Sequence, residues 1–219
     1  MNDSVILIDK PSGMTSFGVV ARIRRVLTQQ AGKKVKVGHT GTLDPFATGL
    51  MILVVGRECK NAGSYSKLDK VYEATIRLGQ TSTTGDPEGE ITDIHSIAPS
   101  LAELSEVLEY FKGEISQTPP IYSAIKINGQ RAYDLARAGK QPEMPERKIT
   151  IHSLDLIDYN YPLLKIRAHV SSGTYIRTLA EDIGKSLGTG AYCTELRRTK
   201  IADWDISQSK SLLDMGIAD

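Results

Sequence analysis

The chain has 219 residues, with 27 Lys and Arg against 26 Asp and Glu, and its formal net charge is +1. Hydrophobic residues make up 40% and charged residues 24%, proportions that are typical of globular proteins and exclude a disordered chain. No apolar run approaches the roughly 18 residues that a membrane span needs, and Met1–Lys10 lacks the pattern of a secretory signal. The two cysteines, Cys59 and Cys193, cannot form a disulfide framework. We therefore expect a cytoplasmic protein that does not associate with membranes.

Charge is distributed unevenly along the chain. Residues 1–48 carry 7 basic and 3 acidic side chains, whereas residues 86–114 carry 1 basic and 8 acidic side chains. An acidic segment can therefore mask a basic face in the total, and a polyanionic partner is compatible with this near-neutral protein. The basic clusters are Arg22, Arg24 and Arg25, then Lys33, Lys34 and Lys36, and finally Arg197, Arg198 and Lys200.

The first third of the chain predicts two strands and one helix around a polar loop. The apolar run at 5–8 predicts a buried strand, and Ser16 is a suitable N-cap for a helix that extends to about Gln29. Residues 32–49 are rich in Gly, Thr and Lys and predict a loop, which is followed by a second buried strand at 50–55.

The rest of the chain alternates strand and helix signals. Ser100 and Glu103 form a capping box, and Asn128-Gly129 is a strong hairpin signal. The predicted elements are a strand at 72–78, a polar loop at 80–90, helices at 100–112, 132–138 and 174–187 with Thr174 as the last N-cap, and strands at 149–156 and 163–170. This order predicts an α+β fold with a large mixed or antiparallel central sheet flanked by helices, in one domain over 1–219.

Several common catalytic motifs are missing from the sequence. Neither a G-x-x-x-x-G-K-[ST] loop nor a G-x-G-x-x-G loop is present, so nucleotide cofactors lack their usual phosphate-binding loop. No G-x-S-x-G elbow occurs, and the histidines and cysteines lack the spacing of zinc ligands. The histidines, which lie far apart along the chain, are His39, His95, His152 and His169. The sequence therefore does not favour metal, hydride or serine-hydrolase chemistry.

The block Gly38–Gly49 is the most unusual part of the sequence. Glycine and threonine are dense in it, which allows a ligand to approach the backbone closely. Asp44 is its only carboxylate and stands before Pro45. Two interpretations stay open at this point: a ligand-facing carboxylate, or an Asx-type turn before the proline.

A second dense stretch, Ser171–Arg177, lies where a predicted strand gives way to a helix. Arg177 falls in the first helical turn, where backbone N–H groups favour anions. Because an arginine there is slightly repelled by the helix dipole, its position indicates an anionic partner. The alternative is an ordinary surface arginine.

These two stretches, together with three others, resemble the TruB family of tRNA pseudouridine synthases. The other motifs are Asp9–Ser16, Tyr122–Lys126 with Gly129 and Arg131, and Gly188–Tyr192 leading to Leu196-Arg197-Arg198. The motifs occur in the family's order and span most of the chain. The resemblance implies the pseudouridine synthase fold and isomerisation of the T-loop uridine at position 55 of tRNA, with no metal or organic cofactor.

The resemblance also implies roles for individual residues. It places Asp44 as the catalytic carboxylate, Tyr72 as the aromatic ring that stacks on the target base, and Arg177 as the partner of Asp44. His39 is similar to the side chain that packs into the T-loop, and Leu196 to an apolar residue of the uracil pocket. The further residues assigned to RNA binding are Tyr175, Arg197, Arg198 and Lys126.

Isomerisation requires the nucleotide to leave its stack, because the N1–C1′ bond must break and C5 must reach C1′. Such base flipping costs a few kcal/mol, and aromatic stacking recovers roughly 1–3 kcal/mol of it. Asp44 must be ionised either to attack C1′ or to remove the 2′ proton, and the guanidinium of Arg177 favours the ionised form.

Two departures from the family pattern are visible. TruB proteins commonly continue into a C-terminal PUA domain, which we expect to be absent because the chain ends at Asp219. Ser172 stands where many relatives carry lysine, which removes one expected phosphate contact. The expected partner is the T-stem-loop of tRNA, bound by a monomer that needs no other protein. The alternatives are an RNA chaperone that refolds the tRNA elbow, or a pseudouridine synthase that acts on another RNA.

Overall fold

The computed structural model describes residues 4–217, which divide into two compact units. The first unit contains the residues up to Tyr72 and those from Arg197 onward, and the second contains Glu73–Leu196. Two strands pass from one unit into the other. The expectation of a single catalytic domain over 1–219 stays a prediction.

The strands and helices follow one another in mixed order along the described residues. The strands are β1 (Ser4–Lys10), β2 (Val37–His39), β3 (Thr48–Val55), β4 (Lys70–Leu78), β5 (Gln80–Ser82), β6 (Ile91–Asp93), β7 (Gly113–Gln117), β8 (Lys126–Ile127), β9 (Gln130–Arg131), β10 (Arg147–Asn160), β11 (Leu163–Val170), β12 (Ala191–Ile201) and β13 (Trp204–Asp205). The helices are α1 (Ser16–Ala31), α2 (Ala62–Ser66), α3 (Leu101–Tyr110), α4 (Ala132–Arg137) and α5 (Ile176–Ser186). Short 3₁₀ segments occupy Gly56–Asn61, Ile206–Gln208 and Leu213–Met215.

The first unit is built around β3, whose apolar run is buried along almost its whole length. A strand with both faces covered is expected to be continuously hydrophobic, as this one is. β1 and β2 pair with β3 in antiparallel fashion, and the end of β12 pairs with it in parallel through Arg197 and Arg198. The amphipathic helix α1 contributes Val19, Ile23 and Leu27 to the core.

The second unit contains the long hairpin of β10 and β11, with β7 paired to β10. Buried and partly buried residues alternate along β4, as expected for a strand with one core-facing side. Together the described strands give a nine-stranded mixed sheet accompanied by helices. The predicted α+β class with a large mixed sheet is therefore confirmed. Within residues 4–217, no helix is long and apolar enough to span a membrane.

Local sequence signals placed several elements correctly. The capping box of Ser100 and Glu103 is present at the start of α3. Asn128 and Gly129 both have positive φ, 50° and 84°, and turn the hairpin between β8 and β9. Both signals depend only on neighbouring residues, which is why the sequence reveals them.

The predicted N-caps of two helices are wrong by one residue. Thr15 caps α1 by accepting a hydrogen bond from the Gly18 amide, which leaves Ser16 free for a tertiary role. Tyr175 is the N-cap residue of α5, and the Thr174 hydroxyl instead donates to the Ser171 carbonyl.

The predicted loops contain strands that local patterns did not reveal. β2 lies in the predicted loop at 32–49, and β5 and β6 form a hairpin around the loop predicted at 80–90. The sequence also gave no sign of β7 or β12. These strands are short or carry many polar residues, so their hydrogen bonds depend on tertiary partners.

Gly49 permits the close approach of β3 and β12. Its φ is +111°, and an added Cβ would lie 2.7 Å from the Arg198 nitrogen and still closer to the Arg198 carbonyl oxygen. Backbone atoms cannot move away as a flexible side chain can, so only glycine fits here.

We expect Gly49→Ala to lower the free energy of unfolding by more than about 3 kcal/mol. The cost of placing alanine at positive φ and the cost of its overlap with the Arg198 backbone add together. Gly32→Ala is the matched control, since Gly32 also has positive φ (+62°) but faces open space. Gly32→Ala should lower the free energy of unfolding by only about 1–2 kcal/mol. Urea unfolding of both variants measures the difference, and equal losses would contradict the packing explanation.

Candidate active site

The loop at 40–47 joins β2 to β3 in the first unit and carries Asp44. Thr40 closes the base of the loop, because its amide and its hydroxyl donate to the Ile52 carbonyl at 3.2 and 3.3 Å. The Ala47 amide donates to the Asp44 carbonyl at 3.2 Å, which forms a turn after the aspartate. Asp44 itself is half-buried.

Both chain neighbours of Asp44 are held by side chains from the beginning of the chain. The hydroxyl of Ser16, which is 2% exposed, accepts from the Leu43 amide at 2.8 Å and donates to the Leu43 carbonyl at 2.9 Å. The buried ammonium of Lys10 donates to the Pro45 carbonyl at 3.1 Å. The backbone on either side of Asp44 is therefore fixed, which sets the direction of its carboxylate.

Arg198 holds the two ends of the same loop. Its side chain is buried, with 1% exposure, and Nε donates to the Leu50 carbonyl at 2.7 Å. Nη2 donates to the Gly41 carbonyl at 3.2 Å, and Nη1 to the Thr42 carbonyl at 3.5 Å. The wide planar guanidinium reaches carbonyls of the loop and of β3 at once, a span that the compact ammonium of a lysine does not match.

Tyr72 and Lys70 lie on the buried face of β4 in the first unit. The ammonium of Lys70 donates to the Ser66 and Leu68 carbonyls at 2.8 and 2.5 Å. Burial and the charge of Arg198 lower the pKa of Lys70, the charge of Asp69 opposes them, and the resulting pKa is about 8. The Tyr72 ring is 8% exposed, so the sheet determines its orientation.

Arg177 lies at the start of α5 in the second unit and is 3% exposed. Its Nη1 donates to the Thr84 carbonyl at 2.7 Å and lies 3.2 Å from Oδ2 of Asp86. Its Nη2 donates to the Tyr122 carbonyl at 2.8 Å. The Thr84 hydroxyl donates to Oδ1 of Asp86 at 2.6 Å, so the carboxylate that faces the arginine is itself held.

The turn before α5 is fixed by a glutamine from β7. The Gln117 side chain accepts from the Tyr175 amide at 2.8 Å and donates to the Tyr175 carbonyl at 3.1 Å. Gln117 is 2% exposed. A buried amide that satisfies both backbone groups of one residue fixes the strand-to-helix turn, and with it the position of Arg177 two residues later.

Glu181 follows Arg177 by one turn of α5. Burial raises the pKa of Glu181, the charge of Arg177 partly opposes this shift, the carboxylates of Asp182 and Asp86 add to it, and the resulting pKa is about 7. Its carboxylate occupies the space that a side chain at Gly85 would need. A carboxyl group that titrates near neutral pH therefore lies beside the network of Arg177.

Comparison with known proteins identifies the family. A family model described as the N-terminal domain of TruB family pseudouridylate synthases matches residues 24–176. The chain belongs to the TruB family. A second model, described as the C-terminal domain of tRNA pseudouridylate synthase B, matches residues 177–216. The chain is therefore a pseudouridine synthase of the family that acts on tRNA.

Two curated tRNA pseudouridine synthases B illustrate the similarity. The protein of Azoarcus sp. (strain BH72) is 47% identical over 210 residues, which cover 96% of this chain and 68% of the relative. The protein of Endomicrobium trichonymphae is 40% identical over 218 residues, which cover 99% of this chain and 93% of the relative. Uridine isomerisation in tRNA is therefore the activity of this chain's family.

A solved structure of a Cbf5-Nop10-Gar1 complex is also similar. Its matching chain has a TM-score of 0.74 and 29% identity, and the match covers 96% of this chain. The match covers only 52% of that chain, so this chain spans about half of its length. The pseudouridine synthase fold predicted from the sequence is confirmed.

The residues assigned from TruB resemblance are divided between the two units. The first unit contains His39, Asp44, Tyr72, Arg197 and Arg198, and the second contains Lys126, Tyr175, Arg177 and Leu196. Leu196 is buried, with 7% exposure, whereas Lys126 is exposed on the β8–β9 hairpin. Their catalytic and RNA-binding roles stay predictions.

The position of Arg198 favours a role in holding the Asp44 loop over the RNA contact assigned to it, which stays a prediction. Its guanidinium is buried and occupied by loop carbonyls, so it is not available to a phosphate. Its neighbour Arg197 points the other way along β12 and is 42% exposed. Arg197 forms a bidentate pair with Asp9, at 2.7 and 3.2 Å, and donates to the Thr48 hydroxyl at 3.2 Å.

The sequence did not reveal three residues that lie beside side chains assigned from the TruB resemblance. Asp86, Gln117 and Glu181 have no motif of their own, and their importance follows from burial beside Arg177 or Tyr175. The only available signal was the position of Asp86 between Gly85 and Pro87, which is also typical of an ordinary turn.

The sequence spacing of the four histidines suggested that they are far apart, but two of them lie close together in space. Pairing of β10 with β11 brings the rings of His152 and His169 to 4.7 Å between centroids. Their 17-residue separation is closed by the hairpin register, in which Ser153 lies opposite His169.

We expect Glu181→Gln to change the pH dependence of stability. Because the folded state raises the pKa of Glu181 from 4.5 to about 7, the folded state binds more protons between these values. Wild-type stability should therefore fall as pH rises through this window, and the variant should lose that part of the decline. Urea unfolding from pH 4.5 to 8 measures it, with the exposed Glu106→Gln as control; parallel wild-type and Glu181→Gln curves would contradict the assignment.

Proposed function

We propose that this chain converts the T-loop uridine at position 55 of tRNA to pseudouridine, with Asp44 as the catalytic carboxylate. The observation that carries the assignment is the anchoring of both neighbours of Asp44, Leu43 and Pro45, by buried side chains. An Asx-type turn needs no such support, because a turn aspartate bonds to its own backbone. A carboxylate that must meet a reacting carbon does need a fixed direction.

The reaction moves atoms within one nucleoside. The N1–C1′ bond breaks, the uracil turns, C5 bonds to C1′, and the proton on C5 is exchanged for one on N1. No electrons are gained or lost overall. Asp44 either attacks C1′ or removes the 2′ proton; both routes need an ionised carboxylate beside the sugar of a flipped nucleotide.

Arg177 serves as the cationic partner of Asp44 in this proposal. Thr84, Tyr122 and Asp86 hold the guanidinium in place, so it is oriented before the RNA arrives. A preorganised charge stabilises a developing charge without a reorganisation cost at the moment of reaction.

The other assigned residues bind the RNA. Tyr72 stacks on the flipped uracil, Leu196 lines its pocket, and His39 packs into the space that the base leaves. Around them, the RNA backbone is bound by Tyr175, Lys126 and Arg197. The Asp9 carboxylate already pairs with the guanidinium of Arg197. Arg197 therefore binds a phosphate only by sharing its guanidinium between that phosphate and Asp9.

Arg198 acts on the chemistry by positioning Asp44. Its guanidinium joins the ends of the loop through hydrogen bonds to the carbonyls of Gly41, Thr42 and Leu50. A displacement of about 1 Å at a reacting group can cost about 100-fold in rate. Arg198 is therefore a positioning residue and not a catalytic one.

The enzyme works as a monomer on the T-stem-loop alone, without another protein. The higher identity to a tRNA pseudouridine synthase B, 47% against 29% for the chain of the Cbf5-Nop10-Gar1 complex, supports this choice over a guide-dependent enzyme. Incubation of the chain with an unmodified T-stem-loop tests it. Pseudouridine should form, whereas a strict requirement for a guide RNA would overturn the choice.

Asp44→Asn should lower the rate of tritium release from tRNA labelled at uridine C5 by at least about 10³-fold, because the amide neither attacks C1′ nor accepts a proton. Its Kd for tRNA should stay within a few-fold of wild type. Asp203→Asn, a change of an exposed aspartate, is the control and should keep full activity. Turnover in Asp44→Asn would refute the role of Asp44; tRNA binding by the wild type without any formation of pseudouridine would favour an RNA chaperone.

Arg198→Lys should lower kcat by about 10- to 100-fold, because the compact ammonium keeps the charge but does not span the Gly41, Thr42 and Leu50 carbonyls as the wider guanidinium does. KM for tRNA should change little. The control is Arg167→Lys, which alters an exposed arginine paired with Glu73. Single-turnover rates at saturating enzyme separate the two parameters, and an effect confined to KM would return Arg198 to RNA binding.

A further inference from the structure

Six cations of the first unit lie close together in sequence without any acidic residue among them. Between Asp9 and Asp44 the chain contains no aspartate or glutamate. Within the described residues, none of the six forms an ion pair. They are Arg22, Arg24, Arg25, Lys33, Lys34 and Lys36.

Several cations elsewhere on the surface have carboxylate partners. The pairs are Lys112 with Glu109 at 2.6 Å, Lys148 with Glu114 at 2.7 Å, Arg167 with Glu73 at 2.9 Å and Arg197 with Asp9 at 2.7 Å. The electric field of a paired cation is largely cancelled by its carboxylate partner, whereas the fields of neighbouring unpaired cations add together. The six cations therefore form a positive region that no neighbouring acidic residue in the sequence compensates.

The loop that presents the lysines is held in place. Val35 is buried, with 9% exposure, and its amide donates to the Thr28 hydroxyl at 3.2 Å. The Gly56 amide donates to the Lys36 carbonyl at 2.9 Å. Because Val35 points inward, Lys34 and Lys36 on either side of it are exposed. The lysine charges are thus displayed by an anchored backbone.

The helix α1 adds an aromatic ring to this charge. Phe17 is 63% exposed, and the Arg24 guanidinium lies 5.8 Å from the centre of its ring. Arg22 and Arg25 are exposed on the same helix. Arginine over an exposed aromatic ring is suited to a ligand that carries both phosphates and flat bases.

We propose that these seven side chains, which we call the α1 surface, bind the phosphate backbone of the substrate tRNA away from the target uridine. The proposal rests on the proposed function for its choice of RNA. Lys36 directly precedes β2, which leads into the loop of Asp44, so the surface adjoins that loop along the chain. The 16-residue helix α1 extends for about 24 Å, far beyond the reach of one flipped nucleotide.

The size of the effect follows from counterion release. Each phosphate that a lysine neutralises contributes about 0.7–0.9 to the slope of log K against log salt. The triple variant Lys33→Ala, Lys34→Ala and Lys36→Ala should therefore reduce the magnitude of the slope for full-length tRNA by about 2–3. Its Kd should rise by at least about 10-fold near 0.1 M salt.

A matched control removes the same charge elsewhere. In Lys112→Ala, Lys148→Ala and Arg167→Ala, three exposed cations are lost that already have carboxylate partners. The slope and Kd for tRNA should change little. Binding titrations at several salt concentrations should be made for both triple variants with full-length tRNA and with the isolated T-stem-loop.

The outcomes separate this surface from the proposed reaction. A larger loss on full-length tRNA than on the T-stem-loop supports the α1 surface, and so does the slope change even if no pseudouridine forms in any substrate. An unchanged slope, or an equal change in the control, overturns it. Binding of wild type to phosphatidylserine vesicles that the lysine variant loses, with tRNA binding intact, would assign the surface to membranes and also overturn it.

Discussion

The hydrogen bonds that hold the backbone around Asp44 are the constraint on which the rest of the proposed site depends. Ser16 binds both backbone groups of Leu43, and Lys10 binds the Pro45 carbonyl. A loop rich in glycine and threonine has many conformations of similar energy. Buried partners on both sides of the aspartate select one of them, and so turn a flexible segment into a support for a carboxylate.

Both units use cations in the same manner. Arg198 and Lys10 in the first unit, and Arg177 in the second, donate mainly to backbone carbonyls. Carbonyl dipoles compensate a buried positive charge without neutralising it, because they carry no net charge. Arg177 also faces a carboxylate, Asp86, which is itself oriented by Thr84. Such cations stabilise the fold and still favour nearby negative charge.

Net charge conceals this organisation. The acidic segment at 86–114 offsets the basic region before Asp44, so the total of +1 gives no hint of a polyanionic substrate. What distinguishes the two kinds of surface is pairing: among residues 4–217, Lys112 and Lys148 have carboxylate partners, whereas Lys33 and Lys34 do not. An unpaired cluster keeps its field in solution and steers an RNA toward the protein.

The sequence by itself determined the fold class, the family and the identity of Asp44 and Arg177 as candidates. Their motifs are contiguous, and capping and turn signals such as Ser100 and Asn128 act between neighbours. Only the tertiary structure decided what holds them: Ser16 belongs to the Asp44 loop instead of the helix cap, and Arg198 turns inward while Arg197 turns outward. Strand β12 was invisible for the same reason. Burial and hydrogen bonding between distant residues depend on the whole fold, and no local pattern encodes them.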